Sequence, residues 1–442
     1  MAQILIKGGR VIDPSRRLDT VTDLLIENEK IAAIAPNQSA SPDALVFHAR
    51  GLIVAPGLID MHVHLREPGD EEEETIASGA DAALAGGFTS VVCMPNTDPP
   101  IDNEATIDFV YRQAAAARKA NVFPTGAITK NRHGKELAEM GQMVRGGAVA
   151  FTDDGDGVQN PAVLLRALKY AHMFDKPILQ HCQDANLSAN GVMNSGYWAT
   201  VLGLPGMSPL AEECMLHRDV QLAKQAGARY HAQHLSTRGS VEIIRRAKTE
   251  GALVTAEVTP HHLLLSEDRC RAYDTHYKMN PPLRSFVDCD ALRQGLADGT
   301  IDCLVTDHAP HLQSEKELEF LYAPFGIISL ECALGLFVKA LIDPGILDWP
   351  HLLALLTINP ARILGLPKGT LAPGADADVT LIDPFIKHAV NVDTFHSKSR
   401  NCPYHGWQLT ARPVATLVAG EIRYQAPSFA LQPTSPEPAN TP

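Results

Sequence analysis

Leu58-Ile-Asp-Met-His-Val-His64 is a short apolar run ending in two histidines; Glu73 to Ala85 behind it has helical character, and Thr89-Ser-Val-Val-Cys-Met94 is apolar again. Strand, helix, strand in that order calls for two parallel strands joined by a crossover helix. The same unit recurs along the chain. Further strands are expected at Val122 to Ala127, Ala148 to Thr152, Pro177 to His181, Arg229 to His234, Leu253 to Val258 and Asp302 to Thr306. Helices are expected at Glu104 to Lys119, Ala162 to Met173, Pro209 to Ala226, Ser240 to Thr249 and Gly326 to Ile342. Eight such units predict an α/β protein with a (β/α)8 TIM-like barrel. An open doubly wound sheet is the alternative, disfavoured because no Gly-x-Gly-x-x-Gly turn follows an early strand.

Outward from this middle, both ends have a different texture. Ile4 to Ile6, Val11-Ile12, Leu24 to Ile26 and Ile31 to Ile34 are short apolar runs between turn signals, and Gly369 to Pro373, Ala377 to Ile382 and Pro413 to Tyr424 repeat the pattern. The expectation is one small discontinuous β domain built from residues 1–55 and 367–424, flanking a barrel over 56–366. Residues 425–442 hold five prolines and few bulky apolar groups, so a disordered tail is expected there.

Composition removes several function classes. Asp and Glu (51) outnumber Lys and Arg (38), giving a net charge of −13, the wrong sign for a nucleic-acid wrapper or a binder of anionic membranes. The eight cysteines form no CxxC pair and are too sparse for a stapled secreted scaffold, so reduced thiols are expected. The first residues lack a signal-peptide pattern and no run of about 18 apolar residues occurs, which predicts a cytoplasmic protein.

Chemistry concentrates where the strands end. His62 and His64 close the first, Asp153 and Asp154 the fourth, His181 the fifth, His234 the sixth, Asp307 and His308 the eighth. In a parallel barrel all strand C-termini share one face, so these side chains would meet at one mouth. His62 and His64 are two apart and point the same way on a strand. A lone His at a strand end is ordinarily a hydrogen-bonded core residue; imidazoles and carboxylates on several strands at the same end form a metal site. Both aspartates follow the fourth strand, and the sequence does not choose between them.

The sequence also resembles the cyclic amidohydrolases, and within them the dihydroorotase family of the long, bacterial kind. The likeness is carried by Gly57-Leu-Ile-Asp-Met-His-Val-His-Leu-Arg-Glu-Pro-Gly69, Met94-Pro-Asn-Thr97, Phe151-Thr-Asp-Asp-Gly155, Thr259-Pro-His-His262, Met279-Asn-Pro-Pro-Leu-Arg284, Asp307-His-Ala-Pro-His311 and Ala323-Pro-Phe-Gly326, and it spans roughly Gly8 to Tyr424. It implies two zinc ions per subunit, bridged by Asp154 and a hydroxide, one held by His62, His64 and Asp307, the other by His181 and His234. Some relatives bridge with a carboxylated lysine on the fourth strand; Phe151-Thr-Asp-Asp154 has none there. The implied reaction is reversible hydrolysis of the ring amide of (S)-dihydroorotate to N-carbamoyl-L-aspartate, a step in making UMP, with Asp307 as general base and then acid. Arg66, Asn96 and His311 would grip the substrate carboxylate, His64 would also bind substrate, and Asn280 with the Phe325-Gly326 backbone would read the polar ring edge.

Other features are expected to be structural. These are His261-His262, and the acidic run Glu71 to Glu74, expected to be solvated at a helix start. Gln313 to Leu321 reads either as a closing segment or as a static loop. Gln183 and the Met207-Ser-Pro-Leu210 stretch depart from the family pattern, and neither is expected to touch a ligand. Three alternatives stay open: a hydantoinase, an allantoinase, or a non-catalytic partner of aspartate transcarbamoylase. Association of an active enzyme with that transcarbamoylase is not decided by the sequence, and a homodimer is a family-level expectation.

Overall fold

The computed structural model describes residues 3–427 and 429; most of the expected tail lies outside the described residues, and its first residue, Gln425, instead ends a strand of the terminal sheet. Strands β1 (Gln3–Asp13), β2 (Leu18–Glu27), β3 (Lys30–Ala35), β4 (Leu45–His48) and β5 (Ile53–Pro56) come first. They share one sheet with β15 (Val379–Ala389), β16 (Gln408–Val418) and β17 (Glu421–Gln425), in the order β17-β16-β15-β5-β1-β2-β3 with β4 beside β1. The ends of the chain meet because β15 runs antiparallel to β5, Val379 opposite Pro56. Ile4, Ile6, Leu24, Val54, Val379 and Leu417 pack one apolar core beneath them. Gly369–Pro373 forms no strand: Leu371 N–H donates to the Asp13 carboxylate, 2.8 Å, rather than to a ladder.

From this sheet the chain enters the barrel at Gly57, where a Cβ would lie 2.0 Å from Thr89 Oγ1, so only glycine admits the close approach of two strands. The barrel strands are β6 (Leu58–Val63), β7 (Phe88–Cys93), β8 (Asn121–Pro124), β9 (Ile178–Gln180), β12 (Tyr230–Ala232), β13 (Val254–Val258) and β14 (Cys303–Leu304); the two-residue strands β10 (Met193–Asn194) and β11 (Gly206–Met207) pair outside it. Every residue of β6 and β7 is buried, as in a parallel strand covered on both faces. The expected fourth strand survives as bridges from Phe151 to Gly126 and to Ile178. Its hydrogen bonds still span both gaps, Gly126 N–H to Ala150 O and Leu179 N–H to Phe151 O, but the run is too short to register as a strand. A bridge between Val63 and His308 closes the ring, and His64 N–H donates to His308 O at 2.8 Å. The barrel is therefore a closed cylinder and not an open sheet.

Two helices differ from expectation. The first begins only at Ile76, where Thr75 and Ser78 form a capping box, so Glu71–Glu74 lie before it. Gly326–Ile342 is not one helix: Ala309 N–H donates to Ile327 O and Ile328 N–H to Asn401 O, so residues 327–328 are held extended, and helical turns start at Leu330. Among the described residues no helix is long and apolar enough to cross a membrane.

Candidate metal centre

Strand alternation puts the side chains of His62 and His64 on one side of the β6 end, and both are buried. His62 Nε2 lies 3.4 Å from Asp154 Oδ1 and 3.4 Å from Asp307 Oδ1; His64 Nε2 lies 3.0 Å from Asp307 Oδ1 and 3.5 Å from Asp154 Oδ2. From the other side His181 Nδ1 and His234 Nε2 each stand 3.8 Å from Asp154 Oδ1, and 2.9 Å from one another. Asp154 is thus the one carboxylate reached by all four imidazoles. Asp153 turns the other way and accepts from Ile128 N–H, Thr129 N–H and the Thr129 hydroxyl. Both Asp307 (φ 49°) and His234 (φ 29°) have left-handed backbone, as does Arg66 (φ 60°). Such conformations cost about 1–3 kcal/mol each and persist where surrounding contacts over-determine them.

The rings are aimed by partners on their outer nitrogens. His62 Nδ1–H donates to Glu257 Oε1 at 2.6 Å, and the other Glu257 oxygen is 3.0 Å from His231 Nε2. His64 Nδ1–H donates to Asn96 Oδ1 at 2.8 Å, and His181 Nε2–H to Gln183 Oε1 at 3.2 Å. Each outer acceptor fixes a tautomer that leaves the inward nitrogen with a lone pair. Beneath them Asp60 accepts from His62 N–H and Thr306 N–H, tying the first strand to the last.

The imidazoles and carboxylates at the centre shift one another's ionisation. Burial alone would depress the His62 imidazole, yet the facing Asp307, Asp154 and Glu257 carboxylates hold it well above its ordinary value. Burial likewise opposes ionisation of Asp154, but His62 and His234 keep it well below the usual carboxylate range. His181 is pushed down to about 4 by burial and by His234. His62 Nε2, Asp154 Oδ1 and His234 Nδ1 are buried with no hydrogen-bond partner. Two triads overlap here, His62–His64–Asp307 and His62–Asp154–His234, each with its donor atoms within 4.8 Å. Orphaned buried donors of nitrogen and carboxylate type fit a borderline divalent metal such as zinc.

Beside this centre Arg66 Nη2 is 3.2 Å from His311 Nε2, and Arg66 Nε donates to Pro310 O at 3.0 Å. Glu73 touches both, 2.8 Å from Arg66 Nε and 3.2 Å from His311 Nδ1. Asn280 Nδ2 lies 3.3 Å from His181 Nε2, and Asn280 Oδ1 is buried without a partner. Phe325 O is 2.8 Å from His311 Nε2. Gly326 N–H donates to Lys278 O, and a Cβ on Gly326 would lie 2.5 Å from the His311 ring.

Residues 51–240 match a family model described as dihydro-orotase-like, and residues 244–424 one described as amidohydrolase family. The chain is 51% identical to a dihydroorotase of Pelotomaculum thermopropionicum over 96% of its own length and 99% of that protein, and 48% identical to one of Syntrophus aciditrophicus over the same shares. The chain belongs to the dihydroorotase family. Among solved structures, an L-hydantoinase (dihydropyrimidinase) from Arthrobacter aurescens aligns with a TM-score of 0.86 at 26% identity, over 96% of both chains. A D-hydantoinase at 22% identity and a TM-score of 0.83 shares the fold. This chain and the hydantoinases thus share one fold, a barrel with an attached β domain.

Against that family background two expectations need correction. The run Glu71–Glu74 is not simply solvated: Glu73 is buried against Arg66 and His311, and Glu74 accepts from Ser397 Oγ and faces His308. Chain reversal before the helix turns these carboxylates inward. Gln183 does touch a proposed ligand, through His181 Nε2. His261 and His262 sit on a short helix, Pro260–Leu264, where His262 bonds Thr259 Oγ1 and Pro281 O. Gln313–Leu321 is pinned, because buried Lys316 Nζ donates to Pro324 O and Gly326 O. Asn96 Oδ1 is engaged by His64. Glu257 was passed over, although a glutamate inside Val254-Thr-Ala-Glu-Val258 is the buried-charge signal that would have found it.

Proposed function

We propose that the chain catalyses the reversible hydrolysis of (S)-dihydroorotate to N-carbamoyl-L-aspartate in pyrimidine biosynthesis. The observation that carries this reading is the pair of overlapping His/Asp triads beside a buried arginine–histidine pair, in a chain about half identical to dihydroorotases. His62, His64 and Asp307 would hold one zinc ion, His181 and His234 the other, with Asp154 between them. Two such cations, when bound, supply the acidity that yields a water-derived nucleophile near neutral pH and withdraw charge from the ring carbonyl. Asp307 faces the imidazoles through Oδ1, which leaves Oδ2 to take a proton from the nucleophile and return it to the departing amide nitrogen. Arg66 and His311 grip the substrate carboxylate, with Asn96 supplying its amide N–H groups. Asn280 and the Phe325-Gly326 segment orient the ring. Every one of the proposed ligands is buried, so the charges that face one another there are little screened by solvent.

A hydantoinase reading is favoured by the structural likeness alone; it gives no use to a buried cationic grip, because its rings carry no carboxylate. Convergence of all the proposed ligands argues against a scaffold role. A cytoplasmic location and a homodimer are proposed with it on the family resemblance alone, and an association with aspartate transcarbamoylase is compatible with it.

The purified, zinc-replete chain is expected to open dihydroorotate and to close carbamoyl aspartate; turnover of hydantoin or allantoin alone rejects the assignment. Arg66→Ala is expected to raise KM by about 30-fold or more, since a buried charged hydrogen-bonding partner is worth about 2 kcal/mol or more. Metal content measured in parallel should stay at the wild-type level, and its loss would make Arg66 a structural residue.

A further inference from the structure

The substrate-facing loops are joined by a residue from outside the barrel. Asn401 lies between β15 and β16 of the terminal sheet and is 2% exposed. Its Nδ2 donates to Ala309 O at 2.9 Å and to Gly326 O at 3.1 Å, while its Oδ1 accepts from His311 N–H at 3.2 Å. Asn401 O accepts from Ile328 N–H as well. Two carbonyls on one side and an N–H on the other leave only one orientation of the amide, since a flip would set oxygen against oxygen. The neighbouring residues brace the same rim: Ser399 Oγ donates to Glu73 O, and Ser397 Oγ to Glu74.

We infer that Asn401 is a positioning residue, which holds the His311 loop and the Phe325-Gly326 loop in register for the substrate. The inference rests on the dihydroorotase reading, because those loops carry its proposed substrate contacts. Asn401 touches neither a proposed metal ligand nor the space between the triads, so its effect runs through His311 and Gly326. This gives the C-terminal segment a part in substrate recognition and not only in closing a sheet.

The test is a graded series assayed with dihydroorotate. Asn401→Ala should raise KM about tenfold, the size expected when buried hydrogen bonds to two loops are lost, with kcat changed less than threefold and metal content unchanged. Asn401→Ser retains an acceptor for His311 N–H and one donor, and should fall between wild type and Ala; it carries the test if Ala does not fold. Asn401→Asp has the same shape but turns an anionic oxygen to two carbonyls, and should be worse than Ala. In the His311→Ala background, Asn401→Ala should raise KM by less than it does alone, the remainder running through the Gly326 loop. Unchanged KM across the series, full additivity with His311→Ala, or a parallel fall of kcat, metal content and melting temperature each overturns the role of Asn401. A wild-type chain that does not turn over dihydroorotate overturns the functional reading, and the role with it.

Discussion

Asp307→Asn is expected to lower kcat for dihydroorotate by about 10³-fold, within the 10²–10⁴ range of a positioned proton carrier. The substitution keeps a neutral oxygen donor of the same size at the end of the eighth strand, so the left-handed turn at φ 49° and the contacts to His62 and His64 persist. What is lost is an oxygen able to accept a proton. KM should therefore change little, because the proposed substrate contacts belong to Arg66 and His311 on neighbouring loops. Steady-state kinetics with metal analysis on the same sample decide the matter. A variant that binds both metals and retains kcat within tenfold of wild type would make Asp307 a ligand without a proton role.

Removing the metals is expected to have an effect at least as large. Chelation should abolish turnover, and added zinc should restore it, since His62 Nε2 and Asp154 Oδ1 are buried at the centre with no hydrogen-bond partner. Asp154→Ala should be the irreversible counterpart. It removes the carboxylate shared by four imidazoles, leaving Asp307 alone to face them. Metal content should fall from the proposed two ions per chain to fewer than one, with turnover undetectable and not rescued by zinc, while the circular dichroism spectrum stays that of a folded barrel. Asp153→Ala separates the two neighbours: Asp153 holds Ile128 and Thr129 backbone N–H groups, so its loss should cost stability rather than metal.

Much of the architecture was legible because it depends on local periodicity. Apolar runs of strand length separated by helical stretches read as parallel units, and the structure closes them into a ring. The fourth strand was overestimated because an apolar run reports burial, not how many ladder bonds form. The single long helix expected at Gly326–Ile342 failed for a related reason: its first residues are committed to Ala309 and Asn401, partners that helix propensity does not register.

The candidate centre divides along the same line. Period-two alternation in β6 already gave His62 and His64 a common side, and the shared end of parallel strands brought His181, His234 and Asp307 to them. Such inferences need only the direction of a strand. Which of Asp153 and Asp154 faces the imidazoles, that Glu73 is buried between Arg66 and His311, and that Asn401 clasps two loops are decisions of the tertiary structure. Once a strand ends, a side chain's direction is set by hydrogen bonds to residues far away in sequence, and local pattern carries no information about them.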